Sequence, residues 1–218
     1  MNNQWQLIDY LIEKKVLNTP EVILAFKAID RADFIPAEVL TQAYLNEPLP
    51  IGFGQTISQP QTVAFILEQL KPAPGQKILD IGTGSGWQAA LLAQVISHDH
   101  LNRLLPESER GQVISLEIQP ELAKRARKNI APYDFIRRKI IEVHCLNARW
   151  GYSSGAPFDR IISAARVEEI PPAWIEQLVC GGRLITPKGN HLIIGEKNKA
   201  GNLEIKTEAN FSFVPFVK

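Results

Sequence analysis

Apolar positions first recur at helical spacing. Trp5, Ile8, Leu11 and Ile12 mark one face of an amphipathic helix over residues 3–15. Thr19-Pro20-Glu21 carries the signals that open a second helix, with Val22, Ile23, Phe26 and Ile29 as its buried face. Asp33-Phe34-Ile35-Pro36 then breaks the pattern, and residues 41–59 show no strong period. An irregular stretch of that length inside a compact domain is more often functional than idle. Pro60 opens the next helix, whose apolar face is Val63, Ile66, Leu67 and Leu70, and Pro72-Ala73-Pro74-Gly75 ends it.

From there strands and helices alternate. Strand 77–81 is followed by helix 86–96, strand 112–117 by helix 120–130, and strand 139–144 by a loop at 146–157. Strand 158–164 leads to helix 172–179, then strands 183–187 and 191–197 and a last strand within 203–216. Nearly unbroken apolar strands alternating with helices predict an α/β fold with a doubly wound, mostly parallel seven-stranded sheet. Gly201-Asn202 between the last apolar runs predicts an antiparallel C-terminal hairpin, and the helices before residue 60 form an N-terminal extension. The polar residues 97–110 interrupt the second β-α-β unit and read as a surface insertion.

Composition narrows this little further. With 218 residues, 45% of them hydrophobic, the chain suits a single domain: residues 1–59 as N-terminal helices and loop, residues 60–218 as the α/β core. A net charge of +1 and no polybasic block give no electrostatic reason to expect nucleic acid or membrane as partner. Lys124–Arg127 and Arg137–Lys139 read as solvated surface. No apolar run approaches the roughly 20 residues of a membrane span, and Met1-Asn2-Asn3-Gln4 does not begin a signal peptide. Cys145 and Cys180 show neither metal nor disulfide spacing and read as structural thiols in a reducing cytoplasm.

The chemistry concentrates where the strand Lys77–Ile81 ends. Asp80 is followed by Gly82-Thr83-Gly84-Ser85-Gly86, glycines at alternate positions leading into a helix. Such a turn lets a nucleotide-like ligand lie against bare backbone at a helix start. A dinucleotide fingerprint would need another small residue three places after its second glycine, and Trp87 stands there. The strand-D-x-G-x-G-x-G order instead resembles motif I of the class I S-adenosylmethionine (SAM) methyltransferases, a Rossmann-like class. In an open parallel sheet the ligand sits beyond the carboxyl ends of the strands. Glu117, with Ile118 after it, ends one such strand; its carboxylate could accept from both ribose hydroxyls or be an ordinary solvated acid. Asp80 is a less direct candidate, able to hold the loop amides or reach the methionine end through water. Asn147, followed by Ala148, could accept from an adenine amino group or only stabilise its turn.

The remaining constellations are weaker. His98-Asp99-His100 lies in the polar insertion without further ligands nearby in sequence, so no metal site is expected. His144 and Cys145, adjacent on a strand, point to opposite faces. Without an evident catalytic base, the acceptor best suited is a carboxylate, already ionised at neutral pH and needing only alignment.

Pro48-Leu49-Pro50-Ile51-Gly52-Phe53-Gly54-Gln55-Thr56-Ile57-Ser58-Gln59-Pro60 closely resembles the signature of the protein-L-isoaspartate (D-aspartate) O-methyltransferase family. Pro157-Phe158-Asp159-Arg160-Ile161-Ile162, Gly181-Gly182-Arg183-Leu184-Ile185-Thr186-Pro187 and Phe213-Val214-Pro215-Phe216-Val217 resemble further family elements in the same order. The resemblance implies methyl transfer from SAM, leaving S-adenosyl-L-homocysteine (SAH), to the α-carboxylate of isoaspartyl residues in damaged proteins or peptides. It implies Ser58 as the active-site serine, with capping of the helix at Pro60 as its plain alternative. Gln55, Thr56 and Ile57 would line the same pocket, and the irregular segment would act as a lid. A cytoplasmic monomer is the expected setting.

Some residues depart from the family pattern. Leu146-Asn147-Ala148 replaces Gly-Asp-Gly, keeping an oxygen acceptor but losing its charge, which predicts weaker SAM affinity than is usual. Ala164-Ala165-Arg166-Val167-Glu168-Glu169 departs near the acceptor, and the insertion at 97–110 is unusual. These leave open a SAM-dependent carboxyl methyltransferase of another peptide acceptor, or a non-catalytic homologue with a degraded cofactor loop.

Overall fold

A computed structural model describes residues 1–209 and 213–216 of the chain. Two helices, α1 (Gln4–Glu13) and α2 (Pro20–Ala28), precede a short hairpin of β1 (Leu49–Gly52) and β2 (Gln55–Ile57). Then come α3 (Pro60–Leu70), β3 (Lys77–Ile81), α4 (Trp87–Ser97), β4 (Gln112–Glu117), α5 (Pro120–Ile130) and β5 (Ile141–Cys145). The chain continues through β6 (Phe158–Ser163), α6 (Pro172–Glu176), β7 (Leu178–Lys188), β8 (His191–Lys197) and β9 (Leu203–Ala209). Proline opens α2, α3, α5 and α6, where its missing N–H would have had no intrahelical partner.

The large sheet has the order β5-β4-β3-β6-β7-β8-β9. Pairing is parallel from β5 through β7 and antiparallel for β8 and β9. Successive strand residues feed opposite cores. Ile78, Val113, Ile162 and Ile185 pack with the N-terminal helices, α3, α4 and α5. Leu79, Ile114, Ile161 and Leu184 pack with Phe158, Trp174 and Leu178 on the other face. Both faces are therefore covered, which is why these strands read as continuous apolar runs. From β3 the chain moves outward through β4 and β5, then returns to β6 on the other side of β3. The carboxyl ends at that reversal open a crevice suited to ligands.

The sequence-based expectations differ from the structure in several places. Within residues 41–59 lies the β1–β2 hairpin, turned by Phe53 (φ 56°) between Gly52 and Gly54. Its strands are too short to show a period. The strand expected from 139 begins at Ile141, because Lys139 takes a left-handed φ of 58°. The helix expected over 172–179 stops at Glu176: the Gln177 carbonyl accepts from the Phe158 amide (2.8 Å) and Leu178 joins the sheet. β7 thus starts before the Gly181-Gly182 pair, which lies inside the strand. β9 ends at Ala209; residues 210–212 and Val217 of the expected closing strand lie outside the described residues. Arg166 pairs with Pro215, exchanging hydrogen bonds with Val214 and Phe216 (both 2.8 Å). Cys145 and Cys180 are exposed free thiols, not buried structural ones, since both sit where their strands leave the core. Residues 97–110 fold back on the end of α4, where the Leu105 amide donates to the Ser97 carbonyl (2.8 Å) and Gln94 Nε2 donates to Asn102 Oδ1 (2.6 Å).

Candidate active site

A cavity of about 810 Å³ opens beyond the carboxyl ends of the parallel strands, bordered by residues from Val16 to Phe216. Gly82 and Gly84 border it from the loop after β3, and Glu117 from the end of β4. The Gly82 and Thr83 amides donate to the Leu116 carbonyl (2.8 and 3.1 Å), fastening the loop to the neighbouring strand. At Gly84 (φ 54°) a Cβ would meet Ile51 Cδ1 at 3.5 Å, so the hairpin rests on bare backbone. Gly86 has another role. With φ 92°, it allows α4 to start against α5, where a Cβ would lie 2.9 Å from Ile130 Cδ1.

Glu117 is buried, and its carboxylate accepts from the Gly84 amide (2.8 Å) and the Gln119 amide (2.9 Å). Asp80 is fully buried on the α4 side. It accepts from Gln88 Nε2 (2.7 Å) and Ser115 Oγ (2.6 Å). Ser115 has one proton, given to Asp80, so the 2.6 Å contact with Thr83 makes the Thr83 hydroxyl its donor. Burial pushes the Asp80 carboxyl up to about 6, opposed by those two hydrogen bonds. Asp80 therefore supports the loop through Ser115 and Thr83, behind the cavity wall.

Asn147 and Ala148 border the cavity just after β5, and Ile118 lies beside Glu117. The Asn147 side-chain oxygen accepts from the Arg149 amide (2.9 Å), and the Ala148 carbonyl accepts from Trp174 Nε1 (2.8 Å). Of the hairpin, Gln55 and Thr56 face the cavity, as does Ser58 just after it; Ile57 is buried in the core. No hydrogen bond to the Ser58 hydroxyl forms among the described residues. Arg125, on α5, holds the hairpin from outside by donating to the Ile51 carbonyl (2.6 Å).

The structure thus brings Gln55, Thr56, Ser58, Gly82, Gly84, Glu117, Ile118, Asn147 and Ala148 to one cavity. Asp80, Thr83, Ser85 and Gly86 shape the loop from behind, Ser85 through its carbonyl, which accepts from Asn129 (3.0 Å). Sequence reasoning missed Gln88 and Ser115, the supports of Asp80, and Arg125. Position alone could have suggested the first two, in the first turn of α4 and directly across from Asp80 in the β3–β4 register. His98 is spent on the Gln94 carbonyl and Ser97, and no group of potential metal ligands occurs among the described residues.

A nucleoside carrying a charged amino-acid arm fits these residues. Glu117 offers a buried acceptor for hydroxyls, Leu116 and Leu146 offer apolar walls, and Gly84 offers backbone free of side chain. The sheet order, the glycine loop and the acid on the next strand define a class I SAM-dependent methyltransferase. A family model described as Protein-L-isoaspartate(D-aspartate) O-methyltransferase (PCMT) matches residues 2–218, and the chain belongs to that family. Curated relatives named protein-L-isoaspartate O-methyltransferase include one from Staphylothermus marinus, 37% identical over 99% of this chain and 94% of its own. Another, from Methanococcus aeolicus, is 38% identical over 97% of this chain and 92% of its own. A crystal structure of a Plasmodium falciparum family protein with SAH superposes with a TM-score of 0.86. It covers 100% of this chain and 99% of its own at 23% identity, which bears on the fold alone.

Proposed function

We propose that this chain, as one methyltransferase domain, methylates the free α-carboxylate of isoaspartyl residues in damaged proteins or peptides. SAM bound in the cavity supplies a methyl group carried on a sulfonium. Glu117 would hold the ribose hydroxyls, Gly82 and Gly84 the backbone cradle, and Asn147 with Ala148 the adenine edge. The acceptor is an anion at neutral pH, so its oxygen needs placement and not deprotonation. That agrees with a cavity whose described lining contains Glu117 as its one carboxylate and no histidine or lysine. Ser58 would donate to one carboxylate oxygen and hold the other toward the methyl. The unpartnered Ser58 hydroxyl, on the same cavity as Glu117 and the glycine loop, carries this reading. The hairpin resting on Gly84 would exclude water.

A cytoplasmic monomer is part of the same proposal. Among the described residues no helix is long and apolar enough to cross a membrane. The test is incubation with labelled SAM and matched isoaspartyl and aspartyl peptides. Label on the isoaspartyl peptide alone is expected. Equal labelling of both, or SAM binding with transfer to neither, would overturn the acceptor assignment.

A further inference from the structure

Arg31 lies in the turn after α2 and is 1% exposed. Its Nη1 donates to the carbonyls of Ala43 (2.7 Å) and Leu45 (3.2 Å), and its Nη2 to those of Glu47 (2.8 Å) and Ser58 (3.2 Å). The guanidinium carbon lies 5.5 Å from the ring centre of Trp87, the residue that follows Gly86. No carboxylate neutralises it among the described residues, and its Nε has no acceptor. Burial lowers its pKa to about 10, a cation kept at a cost.

The acceptors explain why a cation is kept there. All four carbonyls belong to the segment that leads up to and includes Ser58, and none to a helix or sheet that would need an arginine to form. The planar fork reaches both ends of that segment at once, which a single ammonium cannot do. Its other face meets Trp87, at the base of the glycine loop. One side chain thus sets the position of the acceptor-side serine relative to the donor-side loop.

We infer that Arg31 is a positioning residue for methyl transfer, fixing the Ser58 backbone against the glycine loop without touching substrate. The inference rests on the acceptor role given to Ser58 above. A Ser58 displaced by about 1 Å would retain its hydroxyl but lose alignment, which lowers turnover more than binding.

The test compares the native protein with Arg31→Lys and Arg31→Met. SAH calorimetry should give dissociation constants within about threefold of native and stoichiometry near one, showing the donor half intact. On an isoaspartyl peptide, kcat should fall about tenfold in the lysine variant and about 100-fold in the methionine variant, with KM within about threefold. Hydrogen exchange of the SAH-saturated proteins should quicken across residues 43–59 and remain native at 82–90. If the methionine variant does not fold, the lysine variant decides. Native kcat and exchange in a folded variant would overturn the inference, as would SAH stoichiometry falling in step with kcat, the mark of a mere packing role. Failure of the native protein to methylate the isoaspartyl peptide would instead sink the acceptor assignment, while the exchange readout would still judge Arg31.

Discussion

The backbone amide of Gly84 donates to the carboxylate of Glu117 across 2.8 Å, joining the tip of the glycine loop to the acid at the end of the adjacent strand. The Gln119 amide holds the other oxygen at 2.9 Å, so the carboxylate is aimed before any ligand arrives. Glu117→Ala removes both the acceptor and this brace. Hydrogen bonds to a charged group are worth about 1.5–3 kcal/mol each, so SAH affinity should fall about 30-fold or more. Calorimetry measures this, and unchanged affinity would exclude the ribose role.

Ser58→Ala separates the two halves of the site. Isoaspartyl methylation should fall about 10- to 100-fold, while SAH binding stays within about twofold of native. Native turnover in this variant would remove the proposed serine contact.

Asp80 should leave a signature in stability against pH. Its carboxyl titrates near 6 in the fold against 3.8 unshifted, so between those values the folded state binds more protons than the unfolded chain. Its contribution to stability therefore falls as pH rises from about 4 to about 6, and the deficit persists above. Two units correspond to about 3 kcal/mol. Asp80→Asn abolishes that titration. Denaturant unfolding should show the variant gaining on native by up to about 3 kcal/mol from pH 4 to pH 7. A constant difference would show that Asp80 is not held in its neutral form by burial.

Arg125→Ala should loosen the hairpin. The lost hydrogen bond to Ile51 is charge-assisted, worth about 1.5 kcal/mol or more, and Ile51 is the side chain seated on Gly84. Association and dissociation of SAH should both accelerate, each about tenfold, with affinity nearly unchanged, followed by stopped-flow mixing and displacement. An unaltered rate would mean that the hairpin does not gate the donor.

Asn147→Asp restores a charge at the turn after β5. The side-chain oxygen can still accept from the Arg149 amide, so the turn survives. If that oxygen also receives the adenine amino group, SAH affinity should rise about three- to tenfold. No change in calorimetry would assign Asn147 to the turn alone.

How much of this was legible in the chain depended on the range of the physics involved. Asp80, the glycines and Glu117 were readable because strand ends and bare turns are local events within a few residues. The succession of β3 to β7 along the chain followed from the same alternation, though not their order across the sheet. The β1–β2 hairpin was not readable, since three- and four-residue strands turned by Phe53 leave no period. The early end of α6 was hidden too: Leu178 keeps helical spacing from Trp174, and only pairing with Phe158 draws it into the sheet. Arg31 gave no signal at all. Its burial becomes affordable only when carbonyls from residues 43–58 converge on it, a fact of tertiary structure.

The cavity recruits its walls from Val16 at one extreme to Phe216 at the other. Even the glycine cradle, encoded near the middle of the chain, depends on later residues, since β3 pairs with β6 and the Ala164 amide donates to the Ile81 carbonyl (2.9 Å). A fragment ending before β6 leaves one edge of that central strand bare, so the seat of the reagent and the seat of the damaged protein stand or fall together.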